Sequence, residues 1–300
     1  MRDMIGRIFS IQPFCVDDGP GLRTCVYLKG CDMRCAWCHN PESISPLPET
    51  SYMEARCVGC GRCAQVCPAH TFENGRHRFN RAECDCGGED VKACPTGALK
   101  RIGSDRAAED VVREVARDRR YFDRSGGGIT LTGGEPMTQP HFVRALLTLA
   151  KAAGIHTCVE TNGAGRYEDY ERILGCTDLF LVDYKLTDDE KHIEMTGRSN
   201  RGVIQNIEAL CDAGAKLVLR CPIIPGVNDT DDHLRAIAEM TKRLNVLGFE
   251  LMPYHSFGVS KSERLGKARQ AQFPVPEAQV VDGYRAAILS MGGREWRRGL

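Results

Sequence analysis

Three hundred residues at 42% hydrophobic content can bury the core of one large or two medium domains, which excludes a chain disordered throughout. Forty Lys and Arg residues balance forty Asp and Glu, so net charge gives no reason to expect nucleic acid or an anionic membrane as partner. The amino-terminal residues hold no apolar block suited to export, and no apolar run reaches the roughly 18 residues of a membrane span, so a cytoplasmic protein is expected. Sixteen cysteines would suggest disulfides in a short secreted chain; here the chain is long and the cysteines cluster at ligand spacings, so they read as metal ligands.

In chain order, Cys25–Lys29 is the first strand expected, followed by a cysteine-rich stretch and a late helix over 107–122. Short apolar runs then alternate with helical patterns. Strands are expected at Ile129–Thr132, His156–Glu160, Leu179–Tyr184, Leu217–Ile223 and Phe249–Met252, and helices around 140–153, 168–174, 201–213, 231–244 and 277–291. Pro140 and Pro276 mark helix starts, Gly154 and Gly214 mark stops, and Phe142, Val143, Leu146, Leu147 and Ala150 form one apolar stripe. The fold class is α/β: six parallel units forming a partial (β/α)6 barrel, with functional residues expected at the carboxyl ends of the strands. Residues 1–51 and 101–300 make this barrel. Residues 52–100, rich in Cys and Gly, read as a small domain inserted into the first strand-to-helix connection.

The loop after the first strand, GCDMRCAWCHN, places Cys31, Cys35 and Cys38 at C-x3-C-x2-C spacing. Three thiolates hold three irons of a 4Fe-4S cluster and leave the fourth open to a ligand. Zinc is the alternative, with His39 completing a Cys3His set. A second motif, ITLTGGEP, puts Gly133, Gly134, Glu135 and Pro136 at the end of the next strand, where small residues let a ligand's amino group approach backbone and a carboxylate, and the resemblance that the two motifs carry together implies iron.

Together these motifs resemble the radical S-adenosylmethionine superfamily. Within it, IFSIQPFCVDDGPGLRTCVYLKGCDMRCAWCHNPES (8–43) is similar to the amino-terminal signature of the activating enzymes of glycyl radical enzymes. The likeness continues through VETNG (159–163), VDYK (182–185), His192, Gly197, Asn200, Asn206, LRCPIIPGVND (219–229) and ELMPYHSFGVSK (250–261). The resemblance implies that Trp37 packs beside the adenine of the cofactor, a core aromatic being the alternative. It implies that Asp183, Lys185 and His255 contact the methionine portion and that Arg220 lies near the ribose or carboxylate. Asp183 and Lys185 share one strand face, so a mutual ion pair is the structural alternative. Glu160 and Thr161 match a pair that the family associates with a monovalent cation, although the acid here is one methylene longer. Asp18 and the Gly19-Pro20-Gly21 turn lie where an incoming protein loop should pass, or form a plain turn.

In the insertion, Cys57, Cys60, Cys63 and Cys67-Pro68 make an intact C-x2-C-x2-C-x3-C-P run, whose fourth cysteine serves the other cluster. The second run is damaged: the positions spaced back from Cys94-Pro95 hold Asp90, Gly87 and Cys84, with Cys86 one residue out of register. The expectation is one auxiliary 4Fe-4S cluster on Cys57, Cys60, Cys63 and Cys94, and a less robust one on Cys67, Cys84 and Cys86 with Asp90 or Glu89 as an oxygen ligand. Retention of a single auxiliary cluster is the alternative.

The function implied is that of an anaerobic oxidoreductase, using S-adenosylmethionine and three 4Fe-4S clusters, that places a radical on a backbone glycine of a partner glycyl radical enzyme. An electron donor such as flavodoxin or ferredoxin would serve it. The resemblance leaves the partner's own substrate open among choline, isethionate, glycerol, hydroxyproline and arylacetates. Two other classes remain in view: a radical enzyme acting on a small molecule, and a ferredoxin-like electron carrier, which would not cleave S-adenosylmethionine when reduced.

Overall fold

In the computed structural model, which describes residues 4–267 and 271–298, six apolar runs become parallel strands: β2 (Arg23–Leu28), β8 (Gly128–Gly133), β9 (His156–Thr161), β10 (Leu179–Asp183), β11 (Leu217–Ile223) and β12 (Gly248–Pro253). Their near-continuous burial, as in β10 where four successive residues are buried, is what a sheet covered on both faces demands. Two strands absent from the sequence reading extend this sheet: β1 (Ile5–Cys15) lies antiparallel to β2, and β7 (Ser104–Ala107) lies antiparallel to β1 at the edge. The order across the sheet is β12-β11-β10-β9-β8-β2-β1-β7, so the fold is α/β with a mostly parallel central sheet.

The stripe expected on α4 (Pro140–Ala152) is buried as a unit, Phe142, Val143, Leu146, Leu147 and Ala150 being at most 2% exposed. Each large side chain of this kind contributes about 1.5–3 kcal/mol. The helix expected over 107–122 is instead two, α2 (Ala108–Val115) and α3 (Arg119–Ser125), separated by a 3-10 turn whose Asp118 accepts a 2.7 Å hydrogen bond from the Thr24 hydroxyl of β2. The helix expected at 168–174 shrinks to α5 (Tyr167–Glu171). Helices α7 (Arg201–Asp212), α8 (Asp231–Arg243) and α10 (Ala278–Ser290) fall where the pattern placed them.

Three helices were not expected: α1 (Glu89–Ala93), α6 (Asp189–Thr196) and α9 (Phe257–Arg264). For α6 the signals were local: Asp188 caps it by accepting from the Lys191 amide at 2.7 Å, and Gly197 ends it at φ 78°. Its amphipathic period is weak, so no apolar stripe announced it.

Between β2 and β7 the chain makes two further small sheets. β3 (Glu49–Tyr52), a short 3-10 turn at Arg62–Gln65 and β4 (His70–Glu73) are followed by β5 (Arg76–Phe79), α1 (Glu89–Ala93) and β6 (Leu99–Ile102). β3 pairs with β6 and β4 with β5, both antiparallel. Among the described residues no helix is long and apolar enough to cross a membrane.

Candidate active site

The carboxyl ends of the parallel strands open into a cavity of about 930 Å³ lined from β1 across to β12, with Cys31, Cys35 and Cys38 on its wall. The cysteine loop is held by backbone rather than by its own side chains. Gly30 and Cys31 donate to the carbonyls of Ser43 and Ile44, while Arg34 and Ala36 donate to those of Thr196 and Met195 at the end of α6. The unexpected helix therefore seats the loop. Burial pushes the Cys31 and Cys38 thiols up to about 12, so filling the site displaces protons. His39 lines the same cavity, its ring stacked on His255 at 3.6 Å between centroids, and burial pushes its pKa down to about 3.

The GGEP turn does two things. Gly133 and Gly134 line the cavity, and both are required by close backbone approach: a Cβ on Gly133 would lie 2.4 Å from the Leu28 nitrogen, and one on Gly134 2.1 Å from the Gly30 oxygen. The turn is thus locked to the residue preceding the first cysteine. Glu135 is 1% exposed and does not line the cavity. Its carboxylate accepts from the Met137 amide at 2.9 Å, the Thr161 hydroxyl at 2.7 Å and the Asn162 amide at 2.7 Å, bracing β8 against β9. Burial raises its pKa to about 7 despite those three donors.

Glu160 and Thr161 sit side by side on β9 and so face opposite ways. Both residues line the cavity, but the Glu160 carboxylate accepts from Thr132 at 2.7 Å and pairs with Arg220 at 2.8 Å, whereas the Thr161 hydroxyl is committed to Glu135 and Tyr170. The two side chains do not converge on one point. Burial lifts Glu160 to about 7, with Arg220 opposing and Asp18 and Asp183 adding to the rise.

Asp183 and Lys185 both line the cavity and pair with each other at 2.5 Å. Burial alone would lower the Lys185 pKa, but Asp183 and the nearby thiols outweigh it and the net shift is upward, so the ammonium stays charged. Arg220, 2% exposed, is surrounded by Glu160, by Asp18 at 3.5 Å and by Glu250 at 3.5 Å. Arg298 joins this network through Asp17 and Glu250. Trp37, 5% exposed, lines the cavity and packs with Leu186, Ile224, Val227 and Tyr254.

Residues that sequence reasoning passed over complete the wall. Asn162 donates to Asp32 at 2.9 Å and lies 3.9 Å from the Cys31 sulfur. Its place in VETNG was the available signal. Arg298, which lines the cavity, carried none, because its relation to Arg220 through Glu250 exists only in the folded sheet. Asn200 and Asn206, part of the resemblance, serve as braces: Asn206 donates to Gly163 at 2.8 Å and Gly165 at 2.7 Å, and Asn200 to Leu186 at 3.0 Å and Thr187 at 2.7 Å.

In the inserted segment, Cys57, Cys60, Cys63 and Cys94 surround one small hollow walled by Tyr52, Phe72 and His77. The other set gathers differently: Cys67, buried, meets the buried Asp90, and Cys84 lies 3.9 Å from the same carboxylate. Glu89 is directed outward and pairs with Lys92.

The Radical SAM superfamily pattern matches residues 26–239. The chain is 40% identical over 294 residues, 95% of each chain, to the isethionate sulfite-lyase activating enzyme of Oleidesulfovibrio alaskensis. It is 36% identical to the trans-4-hydroxy-L-proline dehydratase activating enzyme of Clostridioides difficile, covering 88% of this chain and 89% of that one. Among solved structures, Streptococcus suis SuiB bound to the precursor peptide SuiA shares the fold at a TM-score of 0.57 and 12% identity, over 93% of this chain and 48% of that one.

Proposed function

This chain belongs to the radical S-adenosylmethionine superfamily and, within it, to the activating enzymes of glycyl radical enzymes, and from that premise we propose how its residues divide the work. The observation that carries the proposal is the meeting of Cys31, Cys35 and Cys38 with Asp183, Lys185 and Arg220 on one cavity wall.

The cavity suits a charged, polar cofactor. Among the described residues the buried His39 Nε2 and His255 Nδ1 have no hydrogen-bond partner, and each belongs to a residue on the cavity wall. Cys31, Cys35 and Cys38 would hold three irons of a 4Fe-4S cluster. Asp183, Lys185, His255 and Arg220 would bind the cofactor's charged groups, with Trp37 beside its base. When bound, cluster and S-adenosylmethionine supply reductive cleavage to a 5′-deoxyadenosyl radical that takes hydrogen from the partner's backbone glycine. The protein's part is to fix that geometry and exclude other hydrogen donors. Asp183 neutralises Lys185 until the cofactor arrives, so binding exchanges one ionic partner for another instead of desolvating a bare ammonium. Asp17 and Asp18 line the cavity where the partner's glycine loop would enter, whereas the Gly19-Pro20-Gly21 turn packs against Ser125 and Gly127 at the amino-terminal end of β8.

Residues 52–100 would be a ferredoxin-like insertion: two strand-helix-strand halves related in order support this. Cys57, Cys60, Cys63 and Cys94 around their hollow fit an auxiliary 4Fe-4S cluster that passes electrons from a flavodoxin or ferredoxin. The second set fits such a cluster less well, because Cys67 and Asp90 lie close together with His70, a hard oxygen and an imidazole among them.

The experiment is an anaerobic assay of the reconstituted protein with S-adenosylmethionine, a reductant and a panel of glycyl radical enzymes. A glycyl doublet in the electron paramagnetic resonance spectrum of one partner, with one 5′-deoxyadenosine formed per radical, is expected. Cleavage that labels only a small molecule, across every partner tried, would overturn the proposal.

A further inference from the structure

We propose that Cys67, His70, Cys84 and Asp90 hold a single zinc ion in the place where the sequence spacing suggests a second iron-sulfur cluster. The donor atoms of Cys67, His70 and Asp90 lie within 4.8 Å of one another, and all three residues are buried. His70 Nε2 stands 3.0 Å from Asp90 Oδ2, and the Cys84 sulfur 3.9 Å from that same oxygen. Donors around a tetrahedral zinc, bound at about 2.0–2.3 Å, are separated by roughly 3–4 Å. A cubane of four irons and four sulfides holds its ligands wider and leaves a hollow among them, which is what Cys57, Cys60, Cys63 and Cys94 do a few residues away.

Donor chemistry points the same way. Two thiolates, one imidazole and one carboxylate suit zinc, which also outcompetes ferrous iron for such a set; three of these donors lie together, and Cys84 would close on them from beside Asp90. Supporting bonds of the sort that orient metal ligands are already in place. His70 Nδ1 meets His77 Nε2 at 2.9 Å, the His70 ring stacks on Phe79 at 4.4 Å, and Asp90 Oδ1 accepts from the Val91 amide at 2.8 Å. Asp90 is 2% exposed and His70 2%, with no lysine or arginine paired to the carboxylate among the described residues. A dication supplies the missing charge.

The damaged spacing then has a physical reading. Asp90 replaces a soft ligand with a hard one, and the shift of Cys86 leaves its own sulfur beside the Cys84 carbonyl at 3.8 Å. Neither change suits an iron-sulfur cluster, while His70, outside both cysteine runs, completes a four-donor site. The ion would tie together the loop at Cys67, the start of β4, and α1, three segments that no apolar cluster joins.

The test is metal and sulfide analysis of the full chain, reconstituted anaerobically with iron and sulfide, then washed with a weak chelator. About eight irons, about eight sulfides and one zinc per chain are expected. His70→Ala and Cys67→Ala should lose zinc and keep the irons, whereas Cys57→Ala should lose irons and keep zinc. If the radical-site reading alone failed, irons would fall further and zinc would stay. Twelve irons without zinc, or eight irons with neither zinc nor any other ion, would overturn the proposal. Should the His70 variant not fold, wild-type protein grown on Co2+ decides: tetrahedral d-d bands with thiolate charge transfer support the site, and octahedral cobalt only refutes it.

Discussion

The loop at Cys31–Cys38 and the segment at 52–100 both gather cysteines, yet they are held in place by different physics. The loop sits on the end of a sheet whose strands bury Val26, Leu28, Ile129, Leu131, Val159 and Val182 completely, and Met33 within the loop is itself 1% exposed against that core. Its backbone bonds run to Ile44, Met195 and Thr196. Among the described residues, none from 52–100 belongs to any buried apolar cluster. Its buried side chains are the candidate ligands Cys63, Cys67, His70 and Asp90 together with Ala69, Ala98 and Leu99. A region of this size without an apolar core would draw folding free energy from bound metal, whereas a site on a sheet end would not. On the proposed reading, removing the cluster at Cys31, Cys35 and Cys38 would leave the fold standing, and removing metal from 52–100 would unfold that segment.

Two sets of replacements should separate the regions most sharply. Changing Cys31, Cys35 or Cys38 to Ala should bring 5′-deoxyadenosine formation to background, a loss of several orders of magnitude, with the main melting transition within a few °C of wild type, since each change removes one sulfur from a half-buried side chain, Cys31 and Cys35 lying at the edge of the core. Changing Cys57 and Cys94 to Ala should instead leave that transition in place and raise protease cleavage within 52–100 at least tenfold, read by mass spectrometry of the fragments. Equal protease resistance with and without metal would break the comparison, because it would give the inserted segment a core of its own.

A smaller effect is expected at Asp183 and Lys185. The pair lines the cavity and is 21% and 11% exposed, so it is neither a surface ion pair nor a fully buried one. Asp183→Ala or Lys185→Ala should weaken S-adenosylmethionine binding roughly tenfold to a hundredfold by calorimetry, and lower the stability of the cofactor-free protein by about 1–3 kcal/mol from the charge left unpaired. Unchanged binding with full loss of stability would make the pair a structural one only.

The same contrast governs what the sequence could disclose. The six parallel strands were legible because burial on both faces imposes runs such as LFLV, and the cysteine triplet was legible because ligand spacing is local. Helix α6 escaped because its seating of the cysteine loop needs Thr196 and Met195 to reach residues 34 and 36, a contact across the chain. The Glu135 carboxylate was expected to face a ligand and faces Thr161 and Asn162 instead, since a strand-end turn can aim its side chain back into the sheet. In the insertion, spacing located Cys57, Cys60, Cys63 and Cys94, whereas His70 lay outside every cysteine run and became visible only when β4 brought it to Asp90.

The smallest expected effect is in the sheet region and concerns pH. Burial raises Glu135 to about 7 from an ordinary 4.5, against the pull of three hydrogen bonds. Between those values the folded protein holds a proton that the unfolded chain has released, so the unfolded state binds fewer protons and stability falls as pH rises. The contribution is fully present below pH 4.5 and is lost as pH passes 7. Its size is on the order of 3 kcal/mol at most. Glu135→Gln cannot titrate. It keeps one oxygen for the Met137 amide and the Thr161 hydroxyl but presents an amide to the Asn162 N–H, so it should be less stable by about 1–3 kcal/mol throughout. The informative quantity is therefore the slope and not the midpoint. Denaturant melts of the cluster-free protein across pH 4.5 to 7 should show a shallower decline for Glu135→Gln than for wild type. A residual slope should persist, because Glu160 is also raised to about 7. An unchanged slope would mean that Glu135 is already ionised in the fold, its three donors outweighing its burial, and the sheet-end brace would then be a charged one.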